Sequence, residues 1–239
     1  MNDNSVGSSY YHSFNVRVQQ RLSHGVSLIG TFMRSKMIDQ TTWLNDSDPA
    51  PEHRISPFFR PMRFSAASTY ELPVGRGKKV NVQSRLLNAV IGGWQLAGTY
   101  QFQMGGPLTW LNGSTNNPGD YVYLGGDLNS QPRNVDGNAF DVSRFDNRTA
   151  SQYQFHVRTF ATAFSNVRGD GTNEFAASVQ KKWSLGEGRW LQLRAEAFNV
   201  LNHPVFGPPN NTASNSAFGT ITSQANRPRL MQLVAKLVF

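Results

Sequence analysis

The last eleven residues of the chain, positions 229–239, alternate between an apolar set and a mixed set. Every second residue counted back from the end is apolar: Phe239, Leu237, Ala235, Leu233 and Met231. The intervening set includes Gln232 and Lys236. Because side chains of a strand point alternately to its two faces, this pattern predicts a strand with one apolar and one mixed face. Its length matches the roughly 9–11 tilted residues with which a β-barrel strand crosses a bilayer.

Six earlier segments repeat this two-residue period, at positions 14–22, 26–34, 58–72, 92–103, 173–184 and 190–200. Their connections alternate in kind: turns at Ser23, Pro73 and Gly186 separate polar connections at 36–56, 105–172 and 202–227. Strands joined in this way form antiparallel neighbours. The sequence therefore predicts an all-β fold, an antiparallel meander of about seven long strands.

The second face of these strands is polar. Seven of its residues are Arg17, Arg21, Gln95, Gln101, Arg194, Glu196 and Lys236. Three glutamines share one face of the segment 92–103, which does not suit a dry core but suits a water-filled lumen. We expect the seven residues to face such a lumen. Lys181 interrupts an apolar face near a strand end, where we expect its long side chain to snorkel.

The alternation of turns and long loops is typical of outer-membrane barrels, which have short periplasmic turns and long extracellular loops. Aromatic residues near strand ends fit their interfacial girdles: Trp94, Phe102, Trp183, Trp190 and Phe239. Bacterial single-chain barrels have even strand numbers. Seven strands thus predict the C-terminal part of a larger transmembrane barrel, which alone would be an open curled sheet. Positions 1–13 lack a basic region and an apolar core, so we expect no signal peptide within positions 1–239.

The loop aromatics Trp110, Tyr121 and Tyr123 leave a second interpretation open. In a barrel they lie in an extracellular loop that meets substrate. In a soluble β-sandwich they would instead stack on sugar rings, as in a carbohydrate-binding module. That alternative predicts shorter strands and fewer polar residues on the second face.

The composition argues against several classes of function, among them nucleic-acid binding, metal binding and catalysis. Charged residues make up 16% of the 239 residues, below the roughly 25% of an ordinary soluble domain. The net charge is +8, but Lys and Arg are scattered rather than clustered with aromatics, so we expect no nucleic-acid partner. There is no cysteine, and the histidines show no metal-ligand spacing. No catalytic constellation is evident, and we expect neither enzymatic activity nor a cofactor.

Four stretches carry a family resemblance: ELPVGRGKK (71–79), GGWQLAGTYQFQMGGPL (92–108), LQLRAEAFNVLNHPVFGPPN (191–210) and FGTITSQANRPRLMQLVAKLVF (218–239). In this order they resemble the C-terminal barrel region of Oar-like TonB-dependent outer-membrane receptors of the acidobacterial type. The resemblance implies a barrel of about 22 strands around a plug domain. It also implies uptake of an unknown substrate. TonB would drive this uptake through an N-terminal part, which includes the plug domain and is missing from positions 1–239.

The resemblance gives the end of the chain a specific role. Phe239 resembles the C-terminal signal by which the insertion machinery recognises outer-membrane barrels. The partners implied are therefore outer-membrane lipid, that machinery through the last strand, and TonB.

Overall fold

Seven long antiparallel strands dominate the computed structural model, which describes residues 6–110, 122–146, 148–151, 157–158, 160–213 and 215–239. The strands in chain order are β1 (Ser8–Ser23), β2 (Val26–Gln40), β3 (Arg54–Ile55), β4 (Met62–Glu71), β5 (Val74–Gly75), β6 (Val80–Asn81), β7 (Trp94–Gln103), β8 (Pro107–Thr109), β9 (Val122–Tyr123), β10 (Phe145–Asp146), β11 (Ala163–Arg168), β12 (Thr172–Gly186), β13 (Arg189–Phe198) and β14 (Leu230–Val238). The long ones are β1, β2, β4, β7, β12, β13 and β14.

The long strands form one sheet in their order along the chain, β1-β2-β4-β7-β12-β13-β14, and every pair is antiparallel. The predicted meander of about seven long strands is confirmed. Some observed strands are longer than predicted: β2 continues to Gln40 and so includes the first five residues of the connection predicted to begin at Lys36. Among the described residues, β1 and β14 each pair with only one long strand.

Two of the tight turns have the backbone that a two-residue hairpin needs. His24 and Gly25 both have positive φ, as do Glu187 and Gly188. Positive φ at both central positions gives the turn a twist that matches the flanking strands. Glycine adopts this conformation without steric cost, which explains a Gly at the second position of each turn.

The third connection at the same end of the sheet contains a helix that the alternation pattern did not predict. Helix α1 spans Arg85–Ile91. Ser84 caps it, because its side chain accepts a hydrogen bond from the Leu87 backbone N–H. No helix among the described residues combines the length and the apolar character needed to cross a bilayer.

The apolar core does not lie under the sheet. No apolar side chain of the seven long strands is fully buried among the residues the structure describes. The buried cluster lies instead in the long connections at the other end, where two short 3-10 helices, Val142–Arg144 and Thr149–Ser151, accompany the small strands. The sheet therefore leaves both faces uncovered, and the packing that resembles a soluble domain is confined to its loops.

Candidate functional site: a polar sheet face and a loop cap

One face of the sheet carries continuous apolar rows. One row across four neighbouring strands is Val16, Phe32, Phe64 and Phe102. A second row is Leu96, Val179, Ala195 and Leu233. Because the rows are in register, the apolar positions of all seven strands reach the same face.

Six of the seven residues predicted to line a lumen lie on the opposite face. They are Arg17, Gln95, Gln101, Arg194, Glu196 and Lys236, each next in sequence to a residue of the apolar face. Arg21 is exposed, but the pairing of β1 with β2 shifts register between Gln20 and Ser23. The pairing therefore does not assign Arg21 to a face.

An amide ladder crosses three strands on this polar face. The Gln192 side-chain amide donates to the side-chain oxygen of Gln180 at 2.6 Å, and the Gln180 amide in turn donates to Gln95. The pairing places Glu71 opposite Gln95 on the next strand. The ladder is a row of hydrogen-bonding groups with spare donors and acceptors, as a wet surface requires.

Charged groups gather beside this ladder on β13 and β14. Arg194 pairs with Glu196, which also accepts a hydrogen bond from Gln232. At the turn end of the same face, Lys236 lies 5.3 Å from the centre of the Trp190 ring. Three of the predicted residues thus fall in one region, whereas Arg17 contacts its own strand neighbour Gln19 at 3.4 Å.

Trp190 departs from the expected aromatic girdle. It pairs with Ser184 and Val238, which places it on the polar face rather than on the apolar one. Lys182 lies 4.8 Å from its ring centre, so two ammonium groups contact one indole. Trp94 and Trp183 do lie on the apolar face, with ring centres 6.4 Å apart.

The described residues of the three long connections, 41–61, 104–171 and 199–229, fold together into what we call the loop cap. Its buried apolar members are Leu108, Trp110, Leu128, Ala139, Phe140, Phe145, Phe160, Val167, Ala213 and Phe218. Aromatic rings dominate: Phe145 packs against Phe140, Phe160 and Phe218 with centroids 5.3–6.4 Å apart. Such ring pairs add to the stabilisation that burial alone provides.

A buried polar network ties the first connection to the second. Arg54 forms an ion pair with Asp39 at 3.1 Å and donates to the Thr162 hydroxyl at 2.6 Å. That hydroxyl lies 2.6 Å from Glu52, which also accepts from the Thr162 backbone N–H. The third connection joins through Asp170, which accepts from the Phe206 backbone N–H at 2.7 Å. The cap is therefore one packed unit.

Asp141 illustrates the electrostatics of the cap. Hydrogen bonds from the Ser130 and Ser143 side chains, with further help from Arg144, lower the pKa of Asp141 from 3.8 to about 2. Its carboxylate also accepts from the Ser143 backbone N–H at the start of a 3-10 helix. A lowered pKa means that this group stabilises the fold above pH 3.8, and that the contribution is lost as the pH falls through about 2.

The loop aromatics predicted to meet ligand have different surroundings. Trp110 is 3% exposed, and Phe140, Phe145 and Phe164 cover its ring, so it has no open face for stacking on a sugar. Tyr123 packs in the same cluster and donates to the Gly126 carbonyl at 2.6 Å. Tyr121 lies outside the described residues.

Phe239 directly follows β14, and its side chain is 95% exposed. Gln180 and Gln192 also lie on the polar face, although they were not among the seven residues predicted to line a lumen. The signal was present, since both alternate with apolar residues in the same way as Gln95.

Comparison with known proteins agrees with this geometry. A family model described as an outer membrane beta barrel domain matches residues 2–232. The chain matches no curated protein and no solved structure. The family match covers nearly all of the chain. A barrel wall in the outer membrane has one face toward lipid and one toward a wet lumen, which agrees with a sheet that is apolar on one face and polar on the other. This chain belongs to the outer membrane beta barrel domain family and is a protein of the outer membrane.

Proposed function

We propose that this chain is the C-terminal barrel region of a TonB-dependent receptor that takes up a substrate across the outer membrane. The observation that carries the proposal is the seven-stranded meander with one polar face and two edges that do not pair with each other. Unpaired backbone groups in lipid cost several kcal/mol each. Further strands must therefore complete the wall in a functioning barrel.

The polar face suits contact with a plug domain. Arg194, Glu196 and Gln232 form a hydrogen-bonded group, and the amide ladder lies beside it. These groups present charges and amides to a surface that enters the lumen. In this proposal they bind the plug and the water around it, and none has a catalytic role.

The loop cap forms the outer mouth in this proposal. It is packed around its own aromatic core, so it presents a shaped surface to substrate rather than a set of free loops. Trp110 and Tyr123 maintain that shape. The described residues do not favour the soluble carbohydrate-binding module: the long strands with a polar second face are not what it predicts, and Trp110 is buried.

The test uses the product of the native gene. An antibody raised against the loop cap is used to probe outer-membrane fractions, and cells are treated with formaldehyde to cross-link TonB to its receptors. We expect a polypeptide well above 26.6 kDa, the mass of these 239 residues, and an adduct with TonB that disappears from a strain lacking TonB. An outer-membrane product of 26.6 kDa that gives no adduct would overturn the proposal.

A further inference from the structure

Helix α1 has an apolar face that no part of the described chain covers. Its four large apolar side chains are Leu86, Leu87, Val90 and Ile91, exposed by 81, 57, 66 and 46%. At the 100° spacing of helical residues, these positions share one face. No residue of α1 is buried, so its apolar face is open along its length.

The C-terminal end of α1 is attached to the apolar face of the sheet. Three donors of that face reach its carbonyls: Lys181 to Asn88 at 3.1 Å, Trp183 to Ala89 at 2.7 Å and Trp94 to Val90 at 2.8 Å. These carbonyls lie in the last turn, where a helix leaves carbonyls without backbone partners; the Asn88 carbonyl also accepts from the Gly92 backbone N–H. The helix therefore lies against the apolar side of the wall, at the end with the tight turns.

Lys181 lies where the C-terminal end of α1 meets the sheet. It is only 3% exposed, with its ammonium 5.2 Å from the Trp183 ring centre and 5.7 Å from that of Trp94. This lysine does not snorkel to water as the sequence led us to expect, because the two rings cover its ammonium, which donates to the Asn88 carbonyl and so fastens the helix end to the sheet. Trp94 and Trp183 are of the residue type that concentrates at the boundary between lipid and water.

Basic residues precede α1 in the sequence, and the first residue of the helix is basic. Arg76, Lys78, Lys79 and Arg85 all lie within ten residues of the helix start or at it. Lys78 pairs with Glu71 at 2.9 Å, but Lys79 and Arg85 form no ion pair with any residue that the structure describes. Cations beside an exposed apolar helix face complement the phosphates of a phospholipid surface.

We propose that α1 lies in the interface of the periplasmic leaflet and anchors this end of the barrel wall to phospholipid. Its apolar face enters the acyl boundary, continuous with the lipid-facing rows of the sheet, and Lys79 and Arg85 contact headgroup phosphates. The three hydrogen bonds from Trp94, Lys181 and Trp183 set the depth of the helix. This anchor rests on membership of the outer-membrane family and does not depend on TonB.

The test places one nitroxide spin label at a time on the native protein in outer-membrane vesicles; residues 1–239 contain no cysteine, and any cysteine elsewhere in the native product is first replaced by serine. Leu86→Cys and Val90→Cys report on the helix, Leu233→Cys is the lipid reference, and Phe58→Cys in the loop cap is the water reference. Accessibility to oxygen, which enters lipid, is compared with accessibility to a water-soluble nickel complex.

We expect the oxygen-to-nickel ratio at Leu86 and Val90 to exceed that at Phe58 several-fold and to approach that at Leu233. A ratio equal to that at Phe58 would show a helix in water and overturn the proposal. Low accessibility to both reagents would show a protein covering the helix, which also overturns it. Because all four positions are exposed, the labels leave the packing of the chain intact.

Discussion

Phe140 lies at the centre of the loop cap, where it is 1% exposed and contacts the rings of Trp110, Phe145 and Phe218. We expect Phe140→Ala to destabilise the cap by about 3 kcal/mol, because a large ring is removed from a packed core. Protease treatment of intact cells measures the effect: cleavage within residues 104–171 should become much faster.

Phe58→Ala is the matched control, since Phe58 belongs to the same cap but is 83% exposed. Its cleavage rate should equal that of the unmodified protein. Equal resistance of the Phe140→Ala variant would contradict a cap held by its aromatic cluster.

The sequence predicts the position of some side chains well and that of others not at all. Gln95 and Glu196 could be placed on the polar face from alternation alone, because strand geometry leaves a side chain only two directions. Trp110 could not be placed, because its burial depends on Phe140 and Phe145, some thirty residues away and outside any regular period. An excess of aromatic residues within a connection was the available signal of a folded loop.

The strands are the elements that the sequence specifies best. Each carries its own two-residue period, and the pairing of one strand with the next follows from chain order and short turns. Helix α1 was missed because seven residues are too short for a clear helical period. Its signals were local: Ser84 at the N-cap and Gly92 after the last turn.

Substitutions in strand β14 test most directly which face of the sheet meets lipid and which meets the lumen. Leu233 and Val234 are neighbours near its middle, one on each face, and both are exposed. We expect Leu233→Lys to cost about 2–4 kcal/mol, because it places a charge on the lipid face near the midplane. Val234→Lys should cost far less, since its charge meets a wet lumen.

The amount of folded protein in the outer membrane, judged by its altered gel mobility before heating, measures this difference. The two variants add the same group to adjacent residues, so each is the control of the other. Equal losses, or a larger loss from Val234→Lys, would contradict the assignment of the faces.

At the scale of the whole molecule, the two ends of the sheet differ in kind. One end carries tight turns and α1, and the other carries the loop cap. The alternation of connection lengths along the sequence predicted this division. It did not predict that the long connections pack into one unit, because contacts such as the hydrogen bond from Arg54 to Thr162 join residues 108 positions apart in the sequence.

The direction of the molecule in the membrane follows from this division. In bacterial outer-membrane barrels the short turns face the periplasm and the long loops face the outside. Residues 1–239 contain no cysteine, so one introduced thiol at a time gives a direct test once any cysteine elsewhere in the native product is replaced by serine. Phe58→Cys in the loop cap should react with a membrane-impermeant maleimide on intact cells. Lys79→Cys, beside α1, should react only after the outer membrane is permeabilised.

Both side chains are exposed, so a difference in labelling reports the side of the membrane rather than burial. Labelling of both variants after permeabilisation is the control for thiol reactivity. Reaction of Lys79→Cys on intact cells would place the turns outside, and would move α1 from the phospholipid leaflet to the outer one. Because the basic residues around α1 were matched to phospholipid phosphates, this measurement decides the direction of the barrel and the leaflet of its anchor together.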